Sequence, residues 1–236
     1  MSNGFTKTAR YYDKIYSWKD YQGESEQLIS LIRRKLPEAQ TLLDVACGSG
    51  MHIIYLKEQL QVLGVDIDPE MISIAAQRNP EIEFLQADML DFNLGREFDV
   101  VTCLFSSIGY VKTLDNLRKA VQCLASHTRP GGLLIIEPWF TPDKWVPNTV
   151  HALFIDEPLL KIARINTSFV EGRLSIFDLH HLIGTPQGTE HVVEHHELGL
   201  FETDEMRTVM EDAGMAVEHE PRGLEGRGLF IGRRQG

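Results

Sequence analysis

No stretch of this 236-residue sequence sustains the roughly 18 uninterrupted apolar residues that a membrane helix needs. The N-terminus, MSNGFTKTARYYDK, lacks the apolar core of a signal peptide. Cysteine is scarce. Cys47, Cys103 and Cys123 are odd in number and match no metal-ligand spacing, which fits reduced thiols in a cytoplasmic compartment. Basic residues are outnumbered, 23 Lys and Arg against 34 Asp and Glu, and the formal net charge is −11. That balance repels a phosphate backbone and disfavours nucleic-acid binding, while leaving room for a local cationic pocket. Repeats and low-complexity tracts are absent as well. What is present is an ordinary globular mixture, 43% hydrophobic and 24% charged, sized for one large domain or a core with an insertion.

Along the chain, residues 5–36 are aromatic and then helical, with Gln27, Leu28, Leu31, Ile32 and Leu36 at helical spacing before Pro37. Short apolar runs follow at TLLDVA (41–46), VLGVDI (62–67), IEFLQA (82–87), FDVVTCLF (98–105) and GLLIIEP (132–138). Helix-length segments at 51–60, 69–79 and 114–126 separate them, with a turn at Pro130, Gly131 and Gly132 before the last run. Alternating strand and helix predicts a parallel sheet covered by helices on both faces. After about residue 150 the runs KIARINTSFV, RLSIFDLHHLI and EHVVEHHELGLF are separated by turn signals and predict an antiparallel sheet of consecutive hairpins. A helix over TDEMRTVMEDAG, with Thr203 as N-cap and Gly214 as stop, leads to a final strand in GRGLFIGRR. The fold predicted is α/β, a Rossmann-like sheet with an appended antiparallel sheet. Its segments are an aromatic lid (1–36), a cofactor-binding core (37–150), the appended sheet (151–200) and the closing helix and strand (201–236).

The glycine-rich turn after the first run argues against a dinucleotide. A G-x-G-x-x-G fingerprint would place pyrophosphate on a helix N-terminus, but Gly48 and Gly50 are followed by Ile53 where the third glycine belongs. Asp44 precedes the turn instead, where a carboxylate suits a cationic amine or a water-bridged amino-acid group. Asp66 ends the second run, placed to accept from both ribose hydroxyls, and Asp88 ends the third, placed to receive an exocyclic adenine amine. The three acids are spaced 22 residues apart, one strand-helix unit each. Such a negative, phosphate-free lining suits S-adenosylmethionine, whose sulfonium is positive. Ile67 and Met89 beside these acids, and Leu104 near the end of the fourth run, are counted with them as cofactor contacts.

In DVACGSG (44–50) the sequence resembles the class I S-adenosylmethionine-dependent methyltransferases, whose signature is an acid followed by Gly-x-Gly-x-Gly. Ala46 replaces the first glycine, which adds a methyl group without removing an amide. YYDKIYSWKDY (11–21), FSSIGYVKT (105–113), EPWF (137–140) and GLEGRGLFIG (223–232) extend the likeness nearly end to end. Here the sequence resembles the N,N-dimethyltransferases of nucleotide-linked amino sugars, of the desosamine and mycaminose type. The resemblance implies two methyl transfers to the amine of a deoxythymidine diphosphate sugar, with S-adenosylhomocysteine as product. It also implies a seven-stranded class I methyltransferase sheet and places Tyr16 beside the cofactor methyl.

Transfer to a neutral amine moves positive charge from sulfur to nitrogen, so holding the amine in line about 3 Å from the methyl supplies much of the catalysis. Tyr16 is therefore the first catalytic candidate, with Tyr12, Trp18 and Tyr21 as a surrounding lid that excludes water. An amphipathic helix with core aromatics is the plainer account of that segment. Glu137 is read as holding the amine or a sugar hydroxyl, and Trp139 as walling the sugar; a solvated acid and a packing residue are the alternatives. Ser106 and Ser107 are read as contacts to the methionine end of the cofactor or to the acceptor. Arg227, between two glycines, is read as a diphosphate ligand or a surface arginine. Adjacent strand histidines point to opposite faces, so His180, His181, His195 and His196 build no metal site, and no metal is expected. His180 and His196 are taken to share a face, lining the acceptor pocket or relaying a proton, or standing as half-buried sheet residues. The competing functions are methylation of another small amine of specialised metabolism and a non-catalytic cofactor-binding regulator. The expected partner is a small-molecule amine, with no nucleic acid and no membrane, and the appended sheet is compatible with a homodimer.

Overall fold

The computed structural model describes residues 8–236, so the first seven residues of the expected lid lie outside it. Seven strands form one sheet: β1 (Thr41–Val45), β2 (Gln61–Asp66), β3 (Glu83–Gln86), β4 (Phe98–Cys103), β5 (Thr128–Ile136), and later β10 (Met215–Glu220) and β11 (Leu229–Arg234). Between β5 and β10 the chain builds a separate four-stranded sheet from β6 (Val150–Glu157), β7 (Leu160–Glu171), β8 (Leu174–Thr185) and β9 (Gly188–Gly199). Six α-helices complete the described chain: α1 (Tyr12–Ile15), α2 (Tyr21–Lys35), α3 (Ile53–Leu56), α4 (Pro69–Arg78), α5 (Leu114–Ser126) and α6 (Thr203–Asp212).

The large sheet runs in the order β10-β11-β5-β4-β1-β2-β3. The five strands from β3 to β5 are mutually parallel, and β11 inserts antiparallel between β5 and β10. Alternate strand residues serve opposite faces. Leu43, Val101 and Leu134 pack with α5 and α6 residues such as Leu117 and Met206. Leu42, Val100 and Leu133 pack with Leu28 and Ile32 of α2 and Ile53 of α3. Both faces are therefore dry, which is why the strands read as nearly continuous apolar runs. In α2, Leu28, Leu31 and Ile32 form the buried stripe, each contributing about 2 kcal/mol on burial. Asp20 caps the helix by accepting the Gly23 N–H at 2.9 Å, and three basic residues close its last turn.

Several local expectations change. Residues 51–60 hold only the single regular turn α3, because their hydrogen bonds mix three- and four-residue spacings around His52 and Leu56. Glu202, not Thr203, caps α6, exchanging hydrogen bonds with Glu205 in a capping box. β6 and β10 lie outside the strand-like runs singled out in the sequence, although the seven-stranded sheet implied by the resemblance requires a strand such as β10. β6 is an edge strand whose alternation is muted because exposed apolar residues stand on its outer side.

The connection out of β1 goes to β2 on one side, while β4 pairs on the other, so a crevice opens at the carboxyl ends of β1 and β4. The four-stranded sheet lies over this edge. Its inner face carries Ile162, Leu179, Ile183 and Leu198, and Ile162 and Ile183 pack on Ile15 of α1. The short 3-10 turn Ser107–Val111 lies below it, and α1 is clamped between sheet and core.

Candidate active site

At the end of β1 the backbone turns through three left-handed residues, Ala46 (φ +59°), Gly48 (φ +55°) and Gly50 (φ +73°). Alanine tolerates this less well than glycine. At Gly50 a side chain is also barred, since a Cβ there would meet Ala75 Cβ of α4 at 3.1 Å. The Gly48 N–H donates to Asp66 Oδ2 at 2.8 Å, and Asp66 Oδ1 accepts from the Asp68 N–H at 2.9 Å. Asp66 thus ties the turn to the end of β2 and still faces the crevice. Burial pushes its carboxyl above the ordinary range, opposed by those two N–H donors. Asp44 is only 2% exposed and accepts from Thr102 Oγ1 at 2.8 Å. Burial raises its pKa to about 6, against the pull of His52 and Thr102. Two buried acids with raised proton affinity make a pocket that favours a cation.

A cavity of about 360 Å3 occupies the crevice, lined by Ala46, Gly48, Asp66, Ile67, Asp88 and Met89, and also by Tyr12, Ser107 and Tyr110. A smaller hollow of about 40 Å3 adjoins it, lined by Asp44 and Leu104 with Tyr12, Tyr21 and Ser107. Of the nine expected cofactor residues only Gly50 reaches neither; its place is against α4. The buried Tyr21 hydroxyl has no hydrogen-bond partner among the described residues. An orphaned hydroxyl, two acids and a turn with open space at Gly48 match a ligand with a polar amino-acid end and a positive centre.

The lid aromatics converge. Tyr16 packs against Tyr12 with tilted rings 4.6 Å apart, lies 6.3 Å from Trp18 and meets Phe105 edge-on at 5.5 Å. The Arg164 guanidinium of β7 sits 5.4 Å from the Tyr16 ring centre. Burial raises the Tyr16 phenol, although the charge and hydrogen bond of Arg164 pull the other way, so the hydroxyl stays protonated near neutrality. Burial raises Tyr12 and Tyr110 as well.

Other candidates stand differently. Glu137 is not a solvated acid and does not reach the cavity: it is 0% exposed, accepting from the Phe105 N–H at 2.7 Å and from Arg227 Nη2 at 3.2 Å. Arg227, expected to be a separate diphosphate contact or a surface arginine, is instead its buried partner, also paired with Glu225. Ser106 spends its hydroxyl on Pro138 O at 2.7 Å, whereas Ser107 lines both hollows. Trp139 donates to Ser175 Oγ at 2.8 Å and lies among Phe140, Trp145 and Phe177. His180 and His196 do not share a face. Phe177 pairs with His196 and Val193 with His180, so His180 points outward against His191, 3.2 Å away. The inward pair is His181 and His196. Burial lowers both to about 4, so both are neutral near pH 7. Among the described residues no three His, Cys, Asp or Glu side chains are gathered as metal ligands.

Residues not singled out beforehand complete the edge. Tyr110 shares a 2.9 Å hydrogen bond with His196 Nδ1, and its position in FSSIGYVKT was the available signal. Asp13 pairs with Arg78 and accepts from Ser49 Oγ at 2.6 Å, fastening α1 to the glycine turn. Glu194 on the sheet's inner face accepts from the Thr8 N–H at 3.0 Å and Oγ1 at 2.8 Å. Lys19 is fully buried between Glu24 and Glu225. Burial raises Glu24, but hydrogen bonds from His52 and its other neighbours win and hold it at about 2. These pairs join segments as far as 206 positions apart in sequence, Lys19 and Glu225 among them, and no local pattern announces them.

A doubly wound sheet whose switch-point crevice is lined by three strand-end acids and a glycine turn defines a class I methyltransferase. Residues 42–132 match the methyltransferase domain family. The chain is 39% identical over 229 residues to a dTDP-4-amino-2,3,4,6-tetradeoxy-D-glucose N,N-dimethyltransferase of Saccharopolyspora spinosa, covering 96% of this chain and 92% of that protein. The crystal structure of Streptomyces venezuelae DesVI superposes with a TM-score of 0.91 at 35% identity, over 96% of this chain and 98% of that one. The amino pentose methyltransferase CalS10 of Micromonospora echinaspora, solved with S-adenosylmethionine bound, gives a TM-score of 0.87 at 29% identity over the whole of both chains. The chain belongs to the S-adenosylmethionine-dependent N-methyltransferase family that contains these sugar-modifying proteins.

Proposed function

We propose that this protein methylates the amine of a dTDP-activated amino sugar twice, using S-adenosylmethionine. The observation that carries the reading is the near full-length likeness to an N,N-dimethyltransferase of such a sugar, joined to a crevice that keeps all three strand-end acids. S-adenosylmethionine supplies an electrophilic methyl on a cationic sulfur. Asp66 would accept from the ribose hydroxyls and Asp88 from the adenine amine, with Ile67 and Met89 enclosing the rings and Leu104 beside the amino-acid end. Asp44 faces the positive amino-acid end, and the Tyr21 hydroxyl offers it a hydrogen bond.

The remaining work of the chain is positioning. Tyr12, Tyr16 and Trp18 close over the crevice as a lid and exclude water. The Tyr16 oxygen, kept as a phenol, accepts from the acceptor amine and turns the nitrogen lone pair toward the methyl. No strong base is needed for the transfer itself, since charge migrates from sulfur to nitrogen without being created. Ser107, Trp139 and His196 bound the space on the acceptor side.

The test is mass spectrometry of reactions containing labelled S-adenosylmethionine and a panel of nucleotide-linked and free amines. Two methyl groups on a dTDP-linked amine are expected. Equal turnover of the same amine lacking its diphosphate would defeat the nucleotide-sugar reading.

A further inference from the structure

The turn after β4 contains two successive non-glycine residues in the left-handed region, Phe105 (φ +50°) and Ser106 (φ +63°). Side chains resist this backbone, and it persists only where the surroundings hold it. Both ties come from the segment after β5. Glu137 Oε2 accepts the Phe105 N–H at 2.7 Å, and the Ser106 hydroxyl donates to Pro138 O at 2.7 Å. Glu137 is itself fixed, its N–H donating to Cys103 O at 2.9 Å and its other oxygen held by Arg227. The turn sends Phe105 edge-on against Tyr16 and sets Ser107 into both hollows. Lys19 and Arg227 lie over the same Phe105 ring, at 4.1 and 5.2 Å from its centre.

We infer that Glu137 is a positioning residue: by accepting the Phe105 N–H it holds the strained turn that sets Phe105 against Tyr16, and so governs methyl transfer without touching acceptor or cofactor. A buried ion pair contributes little net stability compared with an apolar pair of its shape, so the Glu137 and Arg227 charges are better explained by the geometry they impose. The inference rests on the role proposed for Tyr16. Tyr16→Phe tests that role by itself, while ratios between the Glu137 variants and wild type test Glu137.

Kinetics of Glu137→Gln and Glu137→Leu, on an amine that the wild-type protein methylates, separate the possibilities. Glutamine keeps an oxygen for the Phe105 N–H and leucine does not. Glu137→Gln is expected to stay within about fivefold of wild-type kcat, and Glu137→Leu to lose about 50-fold or more, the scale of a misplaced reacting group. Both should bind S-adenosylmethionine with Kd within about fivefold of wild type, because Asp44, Asp66 and Asp88 are untouched, while Ser107 of the turn reaches both hollows. Equal losses in the two variants, an unchanged kcat in Glu137→Leu, or a loss confined to cofactor affinity overturns the proposal. Should Glu137→Leu not fold, Ser106→Gly takes its place, cutting the Pro138 tie while freeing the backbone of strain. A higher Tm with lower kcat at constant cofactor affinity supports the proposal, and an unchanged kcat refutes it.

Discussion

Asp44→Asn isolates the charge that the crevice is built around. The carboxyl is buried, and its pKa rises from the ordinary 3.8 to about 6. Between those values the folded chain binds a proton that the unfolded chain has lost, so the stability owed to this group falls as pH rises through the window and is level above it. The cost of keeping Asp44 ionised is roughly 3 kcal/mol above pH 6. Asparagine keeps the oxygen that accepts from Thr102 and removes the charge. The variant without ligand should therefore match wild type near pH 4 and exceed it by as much as about 3 kcal/mol at pH 7.5, or about 6 to 12 °C in Tm for a chain of this length. Ligand binding should show the reverse. A cation beside Asp44 offsets the cost in the wild-type protein, so S-adenosylmethionine affinity should rise between pH 5 and 7 and then level. In the variant it should be lower by about 100-fold at pH 7.5 and flat with pH. Thermal unfolding across pH and calorimetric titration measure the two halves. An asparagine variant no more stable than wild type at pH 7.5, with the same pH slope of affinity, refutes the argument that a buried unpaired carboxylate waits for a cation.

Three further outcomes follow from the same edge. Asp66→Ala removes both the ribose acceptor and the tie to the Gly48 N–H; calorimetry should show Kd raised about 10- to 100-fold, and unchanged affinity discards the ribose assignment. Tyr16→Phe keeps the ring contact with Tyr12 and loses the oxygen; kcat should fall about tenfold or more with cofactor Kd within about twofold, and an unaffected rate moves the chemistry off this phenol. Arg227→Met leaves Glu137 buried without its cation; denaturant unfolding should show a loss of about 3 kcal/mol. If the same variant keeps the wild-type KM for a diphosphate-linked amine, Arg227 is a structural cation and the diphosphate is held elsewhere.

What was legible beforehand shares one property: it is set within a single strand-turn-helix unit. Asp44, Asp66 and Asp88 each sit where an apolar run stops, and a parallel sheet brings such ends to one edge whatever else the chain does. Roles that depend on distant partners were not legible. Glu137 and Arg227 read singly as two ligands for two parts of a substrate; 90 residues apart in sequence, they neutralise each other. The histidines failed for a related reason. Strand parity separates His180 from His181, but β8 carries Leu179 and Ile183 on one side and Leu182 on the other, so apolar character alone does not choose the buried face. The choice falls to Ile15 of α1, which packs against Ile162 and Ile183, and with that contact His181 turns inward and His180 outward. A charged residue near a strand end is thus a sound pointer to the active edge, yet whether it meets ligand or frame is decided by the countercharge that folding brings to it. At Asp44 and Asp66 no protein cation lies within ion-pair distance among the described residues, whereas at Glu137 one does. This criterion supports assigning the first two to the ligand, as proposed, and the third to the scaffold inferred to orient Tyr16.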